Sequence, residues 1–315
     1  MKRQLMHSLI ALFGRLFSKN KLSILIYHQV LASKDPMRPT EPTADIFDWQ
    51  MRLIKRYFTP LSLGEGLNHL KAGTLPANAI CVTFDDGYLN NLTVAQPILA
   101  KYAIPATVYV ATAFSHGTNM WNDRLLYLFS DPKRQQLVLN ETTLTLTDWA
   151  DRREQAQQWL KQLKYLPPTE RIALIDKFYQ QNNCTEQTPL MMSPKQVKQL
   201  ADKGITIGAH TVNHPILKIL PVAKQRQEIA QSKQELEQWI GKAVEHFAYP
   251  NGVENIDFDQ ETVNCVQELG FKTAVATNWG VSSKLTSEFK LKRFTPWDKT
   301  AFKFHARLLS IQLKN

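Results

Sequence analysis

Residues 79–88 read AICVTFDDGY, an apolar run that ends in two adjacent carboxylates. The first six residues are apolar or β-branched without a break, which is typical of a strand buried on both faces of a parallel sheet. Asp85 and Asp86 therefore end a buried strand, where a charge is costly unless something compensates it. A divalent cation would stabilise both, with one carboxylate as ligand and the other free as a base. A plain turn is the alternative, because Asp-Gly is a common turn dipeptide.

Outward from this segment, short β-rich runs alternate with helical patterns, which argues for parallel βα units. Further strands are predicted at residues 23–27, 106–110, 205–207, 246–249 and 273–276, and helices at residues 45–57, 90–102, 194–203, 222–240 and 259–269. The alternation breaks at about residues 112–192, where helices are predicted at residues 121–129, 147–163 and 169–181. We interpret this segment as an insertion in one catalytic domain over residues 22–315, of the kind that shapes substrate sites.

The composition is that of a globular protein of 315 residues, with a formal charge of +10 and a pI near 9.4. A basic chain favours an anionic partner, which could be a membrane face, a phosphorylated glycan or nucleic acid. No zinc-finger spacing or RNA-binding aromatic signature accompanies the charge, so we expect no nucleic acid. Three distant cysteines form no disulfide framework. We expect a cytoplasmic location or the inner face of a bacterial membrane, with the periplasm left open.

Residues 1–21 predict an amphipathic helix, in which Leu9, Phe13 and Leu16 share one face with other apolar residues. The segment lacks a signal-peptide cleavage site and is too short to span a bilayer. Two interpretations remain open. The helix could lie on a membrane surface as a peripheral contact, or it could pack on its own domain.

His210 and His214 form a second candidate pair in the sequence HTVNH. Two histidines four residues apart can reach one metal if the chain makes a single turn there. Seen alone, they could equally be unrelated loop histidines. Together with Asp86 they would make a set of two imidazoles and one carboxylate with open positions, the layout of a hydrolytic metal site.

TFDDGY (residues 83–88), HTVNH (210–214) and FAYPNG (247–252), in this order, resemble the first three motifs of the polysaccharide deacetylases, carbohydrate esterase family 4. The resemblance implies a distorted (β/α)7 barrel with a helical insertion and removal of N-acetyl groups from a glycan. It also implies that Asp85 is the catalytic base. Asp86, His210 and His214 would be the ligands of Zn²⁺, or of Co²⁺, Ni²⁺ or Mn²⁺.

The sequence departs from the family pattern in two places. FAYPNG lacks the arginine that orients the catalytic aspartate in many members, and the C-terminal Leu-x-His that supplies the general acid is missing. Poly-N-acetylglucosamine deacetylases have a similar FAYP motif and take the acid histidine from an N-terminal strand, which residues 24–30 resemble. On that resemblance we assign the acid role to His28, although it could be only a hydrogen-bonded histidine at a strand end.

The expected substrate is an acetamido sugar in a surface polysaccharide or a lipid-linked glycan. The candidate contacts are the Tyr88 backbone N–H, Trp121, Asp123, Tyr249, Pro250, Asn251 and Arg293. Trp121 could stack on a sugar or be core of the insertion, and Arg293 could meet a phosphate or orient Asp85. A non-catalytic glycan-binding or assembly protein on the same fold is the alternative function.

Overall fold

The computed structural model describes the backbone of residues 2–314 and the side chains of residues 6–313. The chain divides into two compact units. The first comprises Met1–Ser33, Thr40–His116 and Met192–Asn315, and the second comprises Lys34–Pro39 and Gly117–Met191. The second unit corresponds to the predicted insertion, with a short earlier segment added.

The strands of the first unit form a mixed sheet in the order β10-β1-β3-β4-β7-β8-β9-β11, with β2 paired to β3. The strands of the chain are β1 Lys21–Tyr27, β2 Thr59–Pro60, β3 Ala79–Phe84, β4 Ala106–Val110, β5 Gln136–Leu139, β6 Thr142–Thr145, β7 Thr206–Ala209, β8 His246–Ala248, β9 Thr273–Trp279, β10 Ser282–Ser283 and β11 Leu291–Arg293. All pairings along this sheet are parallel except that of β10 with β1. The predicted alternation of strands and helices is therefore confirmed.

Helices connect these strands. They are α1 Lys2–Phe17, α2 Ala44–Tyr57, α3 Leu63–Ala72, α4 Gln96–Lys101, α5 Trp121–Leu128, α6 Trp149–Leu163, α7 Pro168–Gln181, α8 Pro194–Asp202, α9 Val222–Ile240, α10 Gln260–Glu268 and α11 Ala301–Lys314. A π-helical turn, Asn91–Ala95, precedes α4 where the sequence predicted one continuous helix. No helix among residues 2–314 combines the length and apolarity that crossing a membrane requires.

The sheet closes into a barrel between β1 and the end of β11. The Ile26 N–H donates to the Phe294 carbonyl at 3.1 Å, and the Phe294 N–H donates to the Ile24 carbonyl at 3.1 Å. Alternate residues of each strand face the barrel interior. Leu22 and Ile24 of β1 pack there, whereas their neighbours in sequence pack under the surrounding helices. The expected distorted (β/α)7-type barrel is confirmed.

The second unit has its own apolar core, formed by α5, α6, α7 and an antiparallel hairpin of β5 and β6. The three helices were predicted. The hairpin was not, because β6 is Thr-Thr-Leu-Thr, a polar run without the apolar continuity that marked the barrel strands. Asn140, at its turn, has a φ of 60°, a conformation that asparagine tolerates well.

Candidate metal centre and active site

The turn after β3 places two carboxylates at the carboxyl-terminal edge of the barrel. Asp85 and Asp86 are both buried, and Asp86 has a φ of 74°. Gly87 follows with a φ of 88°, and a Cβ there would lie 3.0 Å from Cγ1 of Val110. Glycine is therefore required on two grounds, its backbone conformation and the space available. Asp86 and Gly87 do form a turn, as the alternative interpretation of Asp-Gly predicted. This turn directs the two carboxylates apart.

The second motif follows β7 at the same edge, because the ends of parallel strands meet there. The sequence predicted a single turn at the end of this strand. Thr211 and His214 have left-handed φ values of 65° and 52°, so that the chain bends back on itself. The carboxylate of Glu228 on α9 holds the bend by accepting the N–H groups of Val212 and Asn213 at 3.0 and 2.9 Å. Strained residues of this kind cluster at functional sites.

Asp86, His210 and His214 come together as a cluster able to hold a metal ion. One potential ligand atom from each lies within 4.8 Å of the others. Nε2 of each histidine is 3.5 Å from Oδ1 of Asp86. That oxygen is buried and has no hydrogen-bond partner within the described part of the chain. A buried carboxylate oxygen facing two imidazole nitrogens is the donor set that suits a divalent transition metal.

Surrounding contacts prepare these side chains for a metal. Nδ1 of His210 lies 2.7 Å from the Ala248 carbonyl, which fixes the proton on Nδ1 and leaves Nε2 available as a ligand. Burial lowers the pKa of His214 to about 4, so its imidazole is neutral at neutral pH. Burial alone would raise the pKa of Asp86, but the neighbouring histidines outweigh it and hold that pKa well below its ordinary value. His214 and Asp86 are thus in their metal-binding forms.

Asp85 forms a bidentate ion pair with Arg293 from β11. Both guanidinium–carboxylate distances are 2.7 Å, and the Arg293 side chain is fully buried. The guanidinium also donates to the Ala276 carbonyl at 2.9 Å and to Oγ1 of Thr83 at 3.2 Å. Burial would raise the pKa of Asp85, but the charge of Arg293 outweighs it and lowers that pKa. The carboxylate is therefore ionised and fixed in direction. Two roles were suggested for Arg293, contact with a phosphate and orientation of Asp85. The structure contains the pairing with Asp85.

His28 directly follows β1, the neighbour of β3 in the sheet. Its carbonyl accepts Nδ2 of Asn91 at 2.9 Å, which anchors the backbone at this strand end. Burial would lower the pKa of His28, but the negative charges of Asp86 and Asp85 outweigh it and raise that pKa above its ordinary value. The imidazole therefore lies within the electrostatic reach of both carboxylates.

The remaining motif residues have structural contacts of their own. The Tyr249 hydroxyl donates to the Phe289 carbonyl at 2.9 Å, and its ring stacks on Phe258 with a centroid distance of 3.8 Å. Pro250 and Asn251 form the turn after β8, where Asn251 has a φ of 59°. Tyr88 is buried beside the DDG turn. Their suggested contacts with substrate stay predictions.

Two further predicted contacts belong to the second unit. The Trp121 ring lies under the guanidinium of Arg171, 4.4 Å from its centroid. Asp123 is buried and accepts Nη2 of Arg38 at 2.7 Å. Trp279, an exposed tryptophan outside the predicted set of contacts, ends β9 at the same edge of the barrel as Asp86, His210 and His214. Its position at a strand end was the signal that could have identified it.

The chain is similar to known proteins in sequence. The sequence profile described as polysaccharide deacetylase matches residues 72–274. The chain belongs to this family. Its members are carbohydrate deacetylases, which are hydrolases. The Bacillus subtilis (strain 168) protein YxkH is 21% identical over 275 residues, covering 87% of this chain and 70% of its own length. A poly-β-1,6-N-acetyl-D-glucosamine N-deacetylase of Staphylococcus epidermidis is 29% identical over 124 residues, 35% of this chain and 43% of that protein.

Solved structures share the fold. The deacetylase PplD of Streptococcus pyogenes, in complex with acetate, superposes with a TM-score of 0.61 at 22% identity, covering 92% of this chain and 98% of PplD. IcaB from Ammonifex degensii superposes with a TM-score of 0.60 at 18% identity, covering 93% of this chain and 97% of IcaB. At this identity the likeness concerns the architecture alone, and the roles of individual residues depend on the geometry described above.

Proposed function

We propose that this deacetylase hydrolyses the N-acetyl group of an acetamido sugar within a surface polysaccharide, in a metal-dependent reaction that releases acetate and a free amine. The observation that carries the proposal is the pairing of two sites at one strand end. Asp85 is held ionised and immobile by Arg293. The next residue, Asp86, faces His210 and His214 with a buried oxygen that has no hydrogen-bond partner among the described residues.

Asp86, His210 and His214 would hold the ion, which we propose to be Zn²⁺ or another divalent metal such as Co²⁺, Ni²⁺ or Mn²⁺. Two nitrogens and one carboxylate oxygen suit each of these ions, and three protein ligands leave room for water and substrate. A bound ion would supply Lewis-acid polarisation of the acetyl carbonyl and would make water a stronger acid.

The protein's own groups perform the proton transfers in this proposal. Asp85 accepts the proton of the attacking water, since its carboxylate is ionised and aimed by two hydrogen bonds from Arg293. The Tyr88 backbone N–H follows the DDG turn and is proposed to stabilise the oxyanion that develops on the acetyl carbonyl. His28 gives its proton to the departing amine. Its raised pKa is consistent with a protonated imidazole available for that step.

Two features support a polymeric substrate over a lipid-linked sugar. The Staphylococcus epidermidis relative acts, by its name, on poly-β-1,6-N-acetyl-D-glucosamine. Exposed Trp279 lies at the barrel edge that carries the catalytic groups, where an aromatic face can stack on a sugar ring of a bound chain. We retain Trp121, Asp123, Tyr249, Pro250 and Asn251 as further proposed contacts.

The test is acetate release from N-acetylglucosamine oligomers and from a lipid-linked acetamido sugar, by the purified metal-loaded protein. We expect release from the oligomers, and Asp85→Asn should reduce turnover by about 10²–10⁴-fold with little change in oligomer affinity. A protein that binds glycans without catalysis would release no acetate, and Asp85→Asn would leave its affinity for the oligomers intact. That outcome would overturn the proposal in favour of a binding or assembly protein.

A further inference from the structure

Helix α1 packs on the barrel unit through its small and polar face. The inward residues follow helical spacing and are His7, Ile10, Ala11, Gly14 and Ser18. Ile10 is the largest apolar side chain among them. This orientation is the reverse of that expected for an ordinary surface helix, whose apolar face covers the core.

Specific contacts fix this orientation. Asn78 lies at their centre: its Nδ2 donates to the Ala11 carbonyl at 3.2 Å, and its backbone N–H donates to Oγ of Ser18 at 2.8 Å. At Gly14 a Cβ would lie 2.8 Å from Oδ1 of Asn78, so the close approach depends on glycine. Towards the start of the helix, Nδ1 of His7 lies 2.9 Å from Nδ1 of His305 on α11.

The apolar face of α1 is consequently turned to solvent. Six large apolar side chains on it are between 37% and 69% exposed: Met6, Leu9, Leu12, Phe13, Leu16 and Phe17. They lie within twelve consecutive residues, so they form one continuous strip along the helix. Such a strip is larger than the scattered exposed apolar residues of an ordinary surface, and it indicates an interaction site.

The sequence of α1 and β1 carries only positive charges. Residues 1–33 contain Lys2, Arg3, Arg15, Lys19 and Lys21 and not one aspartate or glutamate. Helix α11, against which α1 packs, also lacks acidic residues while carrying Lys303, Arg307 and Lys314. Arg15 and Lys19 are exposed beside the apolar strip. We propose that α1 is an interfacial helix that binds an anionic lipid bilayer, with its apolar strip in the acyl boundary and Arg15 and Lys19 at the headgroups.

The barrel then determines where the active site faces. Asn78, which holds α1, immediately precedes β3, and the catalytic Asp85 immediately follows it. Six residues of strand separate the two ends by about 20 Å. A protein bound through α1 would therefore carry its active site at the barrel end remote from the helix. This consequence rests on the proposed function, and it favours a polymer extending away from the bilayer over a sugar at the membrane surface.

The experiment is vesicle flotation with the full-length protein. Wild type should float with vesicles of phosphatidylcholine mixed with phosphatidylglycerol and should remain unbound with phosphatidylcholine alone or at high salt. Leu12→Gln/Leu16→Gln should weaken partitioning at least about tenfold, because two apolar anchors are lost. Arg15→Gln/Lys19→Gln should weaken it about fivefold for each charge removed.

Leu285→Gln is the matched control, since Leu285 is 97% exposed and lies in the barrel unit outside α1. It should float like wild type. Equal flotation of wild type and Leu12→Gln/Leu16→Gln would overturn the proposal, as would a wild type that binds no anionic vesicle. If a second copy of the chain covered α1 instead, sedimentation would show a dimer, and Leu12→Gln/Leu16→Gln would abolish it. That result would also overturn the proposal. Melting temperatures verify that each variant is folded. If Leu12→Gln/Leu16→Gln fails to fold, Arg15→Gln/Lys19→Gln tests the proposal in its place. Flotation is independent of deacetylation, so failure of either proposal is recognisable separately.

Discussion

Arg293 offers the sharpest test of how this site is built, because it touches neither the metal ligands nor the proposed substrate position. Its guanidinium makes two hydrogen bonds to Asp85 and one each to Thr83 and Ala276. Arg293→Met would keep much of the side-chain volume and remove all four. It would leave the Asp85 carboxylate buried without its cation.

The expected magnitude follows from that burial. Removing one partner of a fully buried ion pair costs about 3–5 kcal/mol, because the remaining charge is uncompensated. Arg293→Lys keeps the charge but cannot reproduce the bidentate geometry. We expect this variant to lose less stability than Arg293→Met. It should still lose about 10²-fold in turnover, since the base is no longer aimed.

Chemical denaturation and acetate release measure the two effects. In a double-mutant cycle, Arg293→Met/Asp85→Asn should be more stable than the sum of the single losses predicts, by about 1–3 kcal/mol, because no unpaired charge remains. Zinc affinity, measured by competition with a chromogenic chelator, serves as the control. It should change little, because the arginine does not contact the cluster. The reasoning would be refuted if Arg293→Met had a stability within about 1 kcal/mol of wild type and a turnover within the scatter of the assay.

Three further predictions concern the acid, the metal and acid stability. His28→Ala should reduce N-acetyl hydrolysis about 10²–10⁴-fold while sparing a nitrophenyl acetate, whose leaving group needs no proton; equal losses on both substrates would exclude the acid role. A strong chelator should abolish acetate release and lower the melting temperature, with Zn²⁺ restoring both, and release unaffected by chelation would exclude the metal mechanism. Burial and the neighbouring His7 lower the pKa of His305 to about 4, against about 6.5 in an unfolded chain. The unfolded state therefore binds more protons between these values, and stability should fall as the pH is lowered from about 6.5 towards 4. His305→Phe should reduce this slope in melting curves, and an unchanged slope would contradict it.

The metal cluster could be predicted because its residues follow strands that sequence reveals well. β3 and β4 are buried on both faces and therefore appear as unbroken apolar runs, and their ends necessarily meet at one edge of a parallel sheet. Asp86 lies two residues after β3, and His210 directly follows β7, the neighbour of β4. The backbone conformation that brings these residues together could not be predicted. Thr211 has a positive φ, and nothing in the sequence indicates this, because β-branched residues rarely adopt such a φ.

Arg293 shows where local sequence stops being informative. It ends β11, a strand of three residues that reads Leu-Lys-Arg and carries no hydrophobic signal of its own. The last predicted strand was residues 273–276, whereas Arg293 belongs to a further strand, the one that closes the barrel. Its partner lies 208 positions away. Helix α1 illustrates the same limit, since its amphipathic pattern predicted a helix but could not indicate which face would pack.

Barrel closure connects these observations. Asp85, the proposed base, follows β3, and Arg293 ends β11. Both strands neighbour β1, so the ion pair of Asp85 and Arg293 spans the seam that the hydrogen bonds of Phe294 close. The metal ligands follow β3 and β7, which are joined through β4 on the far side of that seam. The alignment of Asp85 by Arg293 therefore depends on a closed seam. FAYPNG, the third motif, contains no arginine, and the buried guanidinium that pairs with Asp85 comes instead from the strand that closes the barrel.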